Sequence, residues 1–327
     1  MKLIKDRFEY SGGSLAYRIY EPEGNSDEIR AVVQISHGMC EYVGRYEAYA
    51  EHLCSQGIVL AGNDHPGHGE SAESEKDFGY FAKEKGVDLA VEGLKTMSGL
   101  LLERYEGKPL ILLGHSMGSF LCRIYLTRYA ESLSGAIVMG TGGPGAPTGA
   151  GIALAGMIAR IRGDRHRSKL LRSIQQSGYL KRCGKGADRT DWLTRDRAIV
   201  EKYNNDKYCN YTFTVSGYRD LFRMLEEVSL EDWATKVPTD LPILLISGED
   251  DPVGGYGKGV RAVAGALAHA GARKLTTVLI PGARHEVLNE TDRDETYALI
   301  DRWIGDLLAE IDPEDPEEPE DLSEDEI

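Results

Sequence analysis

The sequence predicts an α/β fold, with a mostly parallel central sheet flanked by helices and a helical cap inserted into it. Three observations carry this expectation. Short apolar runs alternate with stretches of helical periodicity up to residue 141 and again after residue 236. Between them lies a segment rich in arginine and lysine that contains no strong strand run. At the end of one of the most apolar runs stands LLGHSMGSF (112–120), a serine between two glycines.

The elements follow in order. Residues 7–20 fit a leading antiparallel hairpin. AVVQIS (31–36) reads as a strand, and 45–56 as a helix, with Tyr46, Tyr49, Ala50, Leu53 and Cys54 on one face and a stop at Gly57. IVLAG (58–62) is the next strand. Residues 87–105 set Val87, Val91, Leu94, Met97 and Leu101 at helical spacing. PLILLG (109–114) is continuously apolar, as a strand buried on both faces must be. A helix over 117–130 and a strand over 135–140 follow. After the interruption come a strand at 242–247, a helix at 258–269, a strand at 275–280 and a closing helix through Tyr297, Ile300, Ile304, Leu307 and Ile311. Strand–helix alternation of this kind implies right-handed crossovers and a parallel sheet covered on both faces. The expected division is a core from 1–141 and 237–311, a helical cap from 142–236 and an acidic tail from 312–327.

Composition narrows the classes. The 327 residues are 41% apolar and 28% charged, which suits a globular domain with a sizeable core. The net charge of −15 is uneven: the tail carries ten acids and no base, leaving −5 for the rest. Like charges punctuated by proline cannot offset their ordering entropy, so the tail reads as a disordered, solubilising segment. No nucleic-acid surface is indicated. The five cysteines are scattered without CxxC or disulfide-like spacing, the N-terminus lacks the apolar core of a signal peptide, and no run of 18 apolar residues exists. A cytoplasmic protein is expected.

The serine stretch now has a context: strand, then Gly-His-Ser-Met-Gly, then helix. A nucleophile on so tight a turn leaves no room for side chains two residues away on either side, which accounts for Gly114 and Gly118. The turn lifts the Ser116 hydroxyl toward the free N–H groups of the following helix, where a developing oxyanion is favoured. A chance match on a surface loop would lack these flanks. A serine needs a base, and the base an orienting carboxylate. On such a sheet the acid follows one late strand and the base the next. His285, after the strand at 275–280, fits the base, and SGEDDPVG offers Glu249, Asp250 and Asp251 for the acid. The loop after the first parallel strand, SHGMCEYVGRYE, fits a second oxyanion donor: Gly38 permits close approach, the Met39 N–H donates and His37 braces the loop. Glu41 and Arg45 stand four apart, as an ion pair would. Asp64, His65 and His68 lie in a Pro- and Gly-rich turn without the spacing of metal ligands, so no metal is expected. No phosphate-cradling loop and no cofactor are indicated.

The motifs HGMCEYVGRY, DHPGHGES, GHSMGS, SGEDDPVG and PGARHEVLNE, in this order over residues 36–290, resemble the α/β-hydrolase superfamily, and within it the monoacylglycerol lipase and lysophospholipase group of serine-aminopeptidase-like hydrolases. The resemblance implies a triad of Ser116, Asp251 and His285, backbone oxyanion donors at Met39 and Met117, a cap over the site and no cofactor. It places the acid at Asp251, three residues past Gly248, with Asp250 as the alternative. Cys40 and Tyr42 depart from the small residue and histidine that many relatives carry, and no motif in 142–236 matches.

The resemblance implies a serine hydrolase cleaving carboxylic esters of lipids, monoacylglycerols or lysophospholipids, through an acyl-enzyme. The alternatives are a peptidase or carbon–carbon bond hydrolase with the same triad, and a non-catalytic binding member of the fold. The partner is then a small-molecule lipid ester. The cap stretch 149–173 joins an apolar run to a basic one, and 160–189 holds ten Lys or Arg against Asp164 and Asp188. The first reading is a helix covering the cleft with its charges in water. The second is transient contact of the cap with an anionic membrane surface.

Overall fold

The computed structural model describes residues 1–24, 28–145 and 147–312. Its centre is an eight-stranded sheet in the order β1-β2-β4-β3-β5-β6-β7-β8. The strands are β1 (Lys2–Tyr10), β2 (Gly13–Glu21), β3 (Ala31–Ser36), β4 (Ile58–Asn63), β5 (Leu110–His115), β6 (Gly135–Met139), β7 (Ile243–Gly248) and β8 (Leu275–Ile280). From β4 across to β8 every pairing is parallel, while β1–β2 and β2–β4 are antiparallel. The α/β architecture expected from the sequence is the one observed.

The leading hairpin spans 2–21, longer than 7–20, because β1 lies at the sheet edge and carries no apolar run to mark it. Its Lys2, Lys5 and Arg7 discourage pairing with another edge.

The parallel strands are apolar throughout because both faces are covered. Val32, Leu112 and Leu245 face α2 (Gly86–Arg104), α3 (Met117–Tyr129) and α8 (Lys258–His269), packing with Leu94, Leu121 and Val263. Val33, Leu113 and Leu244 face the opposite way, onto Leu53 of α1 (Glu47–Cys54) and Ile300 and Ile304 of α9 (Arg293–Ile311). The predicted helix at 45–56 divides into a 3₁₀ turn over Val43–Tyr46 and α1, which the chain leaves through Gly57 in a left-handed conformation.

Between β6 and β7 the chain forms α4 (Thr148–Arg162), α5 (Lys169–Gln175), α6 (Arg197–Asn205) and α7 (Val215–Glu227). Side chains of Ser168, Asp196 and Thr214 cap the starts of α5, α6 and α7. Here α7 packs on α4 on one side and on α2 and α3 on the other. Among the described residues no helix is long and apolar enough to cross a membrane. The acidic tail, Asp312 apart, lies outside the described residues.

Because Leu113 is fully buried in the middle of the sheet, Leu113→Ala is expected to lower unfolding free energy by roughly 2–5 kcal/mol, read from the urea midpoint.

Candidate active site

Ser116 sits between β5 and α3 with φ 56 and ψ −120, a conformation that an L-residue adopts only under constraint from its surroundings. The flanking glycines supply that constraint. A Cβ on Gly114 would stand 2.5 Å from the Gly118 carbonyl oxygen, and one on Gly118 would run into the carbonyl of Ser36 in β3. The Ser116 N–H donates to the Met139 carbonyl at 3.0 Å, and its own carbonyl accepts from Ser119 N–H at 2.9 Å. The corner is thereby pinned between β6 and the first turn of α3.

His285 and Asp251 come from the loops after β8 and β7. Both are buried, and His285 Nδ1 donates to Asp251 Oδ1 at 2.9 Å. Asp251 also accepts from the Ser247 hydroxyl (2.9 Å) and the Val253 N–H (2.8 Å). Burial alone would raise its pKa; the His285 charge and these hydrogen bonds outweigh that and hold it below the usual carboxylate value. Asp250 turns outward, to Arg182 at 2.6 Å. The other ring nitrogen of His285, Nε2, is buried and has no hydrogen-bond partner, and His285 and Ser116 line one cavity. The structure thus makes the imidazole–carboxylate contact and places the serine in the same enclosure, without a Ser116–His285 hydrogen bond among those of the described residues.

The loop after β3 lies against the serine: a Cβ on Gly38 would be 3.1 Å from Ser116 Cβ. His37 braces this loop, its Nδ1–H donating to the Gly38 carbonyl (2.9 Å) while its Nε2 accepts the His65 N–H (2.9 Å). Met39 and Met117 both line the cavity. Met117 is the first residue of α3, where N–H groups have no intrahelical acceptor. Met39 N–H donates to no protein acceptor among the described residues.

A buried charge cluster, of which spacing reveals only the Glu41–Arg45 pair, holds this arrangement. Glu41 accepts from the Gly38 N–H (2.5 Å), the Tyr46 hydroxyl (3.0 Å) and Arg45 (2.8 Å). Arg45 forms a second, bidentate pair with Glu286, the residue after His285, at 2.7 and 2.8 Å. His115, the residue before Ser116, donates from Nδ1 to Glu41 (3.0 Å) and from Nε2 to the His285 carbonyl (3.4 Å). Burial opposes a charge on His115, but the hydrogen bond to Glu41 and the charges of Glu41 and Glu286 outweigh it and raise its pKa. Burial likewise opposes the charge of Glu41, and His115 and Arg45 overcome it. With His115 protonated, the two carboxylates face two cations.

The cavity holds about 370 Å³ and is lined by the loop residues named above, by Phe120, and by side chains between β6 and β7. Leu154 of α4 and Leu221, Phe222 and Leu225 of α7 make one part of it apolar. Trp192 packs on the His285 ring, 4.9 Å between centroids, and its carbonyl accepts the His285 N–H. Arg172 and Asn210, hydrogen-bonded to each other, add polar groups to the lining. Reading motif by motif misses these residues, because no pattern in the chain marks them.

Asp64, His65 and His68 are buried, and each makes hydrogen bonds to its own turn or to the neighbouring β3 end. Asp64 accepts the N–H groups of Val43 and Glu70, and His65 faces Ser36 and the His37 carbonyl. Burial lowers the pKa of His37, His65 and His68, the last to about 3, so all three are neutral. Among the described residues no group of three or more His, Cys, Asp or Glu is arranged to hold a metal.

A family model described as serine aminopeptidase, S33, matches residues 27–292. The monoacylglycerol lipase of Mycolicibacterium smegmatis is 25% identical over 297 residues, covering 90% of this chain and 93% of that one. Among solved structures, a highly thermostable carboxyl esterase from Bacillus coagulans in complex with glycerol matches with a TM-score of 0.86 at 29% identity, covering 94% of this chain and 99% of the other. A soluble variant of monoglyceride lipase from Saccharomyces cerevisiae, in complex with a substrate analog, shares the fold with a TM-score of 0.73 at 19% identity, covering 92% and 94%.

Removing Arg45 strands two buried carboxylates, so Arg45→Leu is expected to cost roughly 3–5 kcal/mol in a denaturant titration, whereas Arg182→Ala, which breaks an exposed pair, costs less than about 1 kcal/mol. The same cluster sets a pH dependence. The raised pKa of His115 contributes stability that is full below its ordinary value of 6.5 and is lost as pH rises through the folded value. Glu41 and Asp251, with depressed values, contribute stability present above the ordinary carboxylate range and lost as pH falls through theirs. Unfolding midpoints measured from pH 4 to 9 should decline on both flanks, and His115→Gln should flatten the alkaline flank; an unchanged alkaline flank would contradict the charged state assigned to His115.

Proposed function

The chain belongs to the serine aminopeptidase S33 family of α/β-hydrolases and is a hydrolase of the esterase and lipase kind, and from this premise we propose that it cleaves carboxylic esters of lipids at Ser116. The observation that carries the reading is the joint opening of a strained serine corner and an unpartnered, Asp251-held His285 into one largely apolar cavity.

In the proposed reaction His285 Nε2 takes the Ser116 proton as Oγ adds to the ester carbonyl. The carbonyl π electrons move to oxygen, which the N–H groups of Met39 and Met117 receive. The carbon–oxygen bond to the alcohol then breaks, and the imidazolium returns its proton to the departing alcohol. Water, deprotonated by the same nitrogen, adds to the acyl-enzyme; collapse releases the fatty acid, and Ser116 regains its proton. Asp251 keeps the Nδ1 proton in place and balances the imidazolium. His37, Gly38, Gly114 and Gly118 support the geometry.

The apolar lining between α4 and α7 favours an acyl chain over a peptide. An aminopeptidase would need a free carboxylate for the substrate ammonium, and both cavity carboxylates, Glu41 and Glu286, are committed to Arg45 and His115. We take 142–236 as a cap that selects substrate, over a core formed by 1–141 and 237–311. Met157 (57% exposed) and Ile161 (79% exposed) on α4, beside Arg160 and Arg162, support transient docking of that cap on an anionic bilayer. Its five free cysteines suit a reducing compartment such as the cytoplasm.

A fluorophosphonate probe should label the protein and fail to label Ser116→Ala. Ser116→Ala and His285→Ala should each lower kcat on a medium-chain monoacylglycerol by about 10⁴-fold or more, with unchanged circular dichroism. A His285→Ala protein that keeps most of its rate would refute the base assigned here. Sedimentation with anionic vesicles should exceed that with neutral ones, and equal, negligible binding to both would remove the membrane reading.

A further inference from the structure

Among the described residues, two arginines in the basic stretch of the cap share one neutral acceptor and have no carboxylate partner. Arg172 of α5 lines the cavity and donates from Nη1 to the Thr212 hydroxyl (2.9 Å) and from Nη2 to Asn210 Oδ1 (3.1 Å). Arg189, from the segment between α5 and α6, reaches the same Asn210 oxygen at 2.7 Å. Asn210, also in the cavity wall, adopts φ 54, and its amide nitrogen is held by Asn204 at 2.9 Å. One neutral oxygen therefore draws two guanidinium groups together. Among the described residues neither has a carboxylate within ion-pair distance, whereas Arg18, Arg45, Arg195 and Arg197 each do.

Two neighbouring cations with neutral partners repel each other without compensation. The strain registers on Arg189, whose pKa is lowered by burial and then by the Arg172 charge. Three of the five N–H donors of Arg172 remain uncommitted, and a guanidinium fork matches the oxygens of a phosphate. The negative groups of the same cavity, Glu41 and Glu286, do not fill this role, since they are paired with Arg45 and His115.

We infer that Arg172 and Arg189, gathered on Asn210, form an anion subsite that receives a phosphate carried on the alcohol side of the acyl ester. The inference rests on the ester-hydrolase reading of the same cavity and deepens it. The acyl chain packs along Leu154, Leu221 and Phe222, and the polar alcohol faces Arg172, all of which line the same cavity. The substrate class is then a monoacyl glycerophosphate type of ester rather than a neutral monoacylglycerol.

The test compares a 1-acylglycerol with the 1-acylglycerol 3-phosphate of the same medium chain, both below their micelle concentrations. The wild type should favour the phosphate ester by about tenfold or more in kcat/KM, chiefly through KM, and raising salt from about 50 to 500 mM should shrink that ratio. Arg172→Gln and Arg189→Gln should each lower the ratio severalfold, and the double variant should bring it near one. A general loss of folding would depress both substrates and leave the ratio standing. Arg182→Gln, in the same basic stretch but paired with Asp250 and without contact to Asn210, should leave the ratio unchanged. Equal kcat/KM on the two esters in the wild type, or a preference that survives the double substitution, would overturn the subsite. Inorganic phosphate that binds as tightly as the phosphate ester would overturn its assignment to an ester head group. Should neither ester be cleaved, the hydrolase reading fails separately: titrating Ser116→Ala with the phosphate ester by calorimetry, with and without Arg172→Gln, still reads this subsite.

Discussion

Four ionisable side chains tie the loops around Ser116 into one unit. Glu41 follows β3, His115 closes β5 and Glu286 follows β8, while Arg45 spans the first and the last. Each of these loops carries a group that the proposed reaction brings together: the Met39 N–H, the Ser116 hydroxyl and the His285 ring. Backbone packing alone fixes strand ends loosely, since loops open more readily than the strands they connect. Bidentate and charge-assisted hydrogen bonds in a buried setting fix them much more tightly.

That precision has a cost. Taking such charges out of water is expensive, and apolar side chains of the same volume would often be as stable. The cluster makes sense as positioning. Glu41 binds the Gly38 N–H, fixing the His37–Gly38 peptide, His37 holds the carbonyl of the next peptide, which carries the Met39 N–H, and His115 bonds to the carbonyl of His285 itself. The strain at Ser116 is supported in the same way. Its φ of 56 persists because Gly114 and Gly118 allow β3, β5 and α3 to close on it from three sides.

The sheet was legible because its strands obey one rule: a parallel strand buried on both faces cannot alternate polar and apolar residues. The edge strand β1 escapes that rule, and its true length was not visible. The serine corner was legible because its demands are local, two glycines at fixed offsets. The choice among Glu249, Asp250 and Asp251 was not open to residue chemistry, since three adjacent carboxylates look alike until the turn aims them. In the fold Asp251 meets His285 and Asp250 meets Arg182. The Glu41–Arg45 pair was readable from its spacing. Its partners were not, because Glu286 joins Arg45 across 241 positions and His115 joins Glu41 across 74.

The segment between β6 and β7 shows why charge counts mislead when read along the chain. Its basic stretch looked uniform, and the fold divides it. Arg165 and Arg182 pair with Asp77 and Asp250 at the periphery. Arg167 donates to the carbonyls of Thr212 and Glu75, staying backbone that lacks a regular partner. Arg172, in the cavity wall, and the exposed Arg189 both turn to the neutral amide of Asn210. A charge spent on a carboxylate or a carbonyl organises the protein's own chain. A charge held against Asn210, with donors to spare, keeps a field that an incoming anion can cancel. The number of basic residues is therefore a poor guide to what a cap binds; the identity of the atoms that hold each guanidinium is the better one.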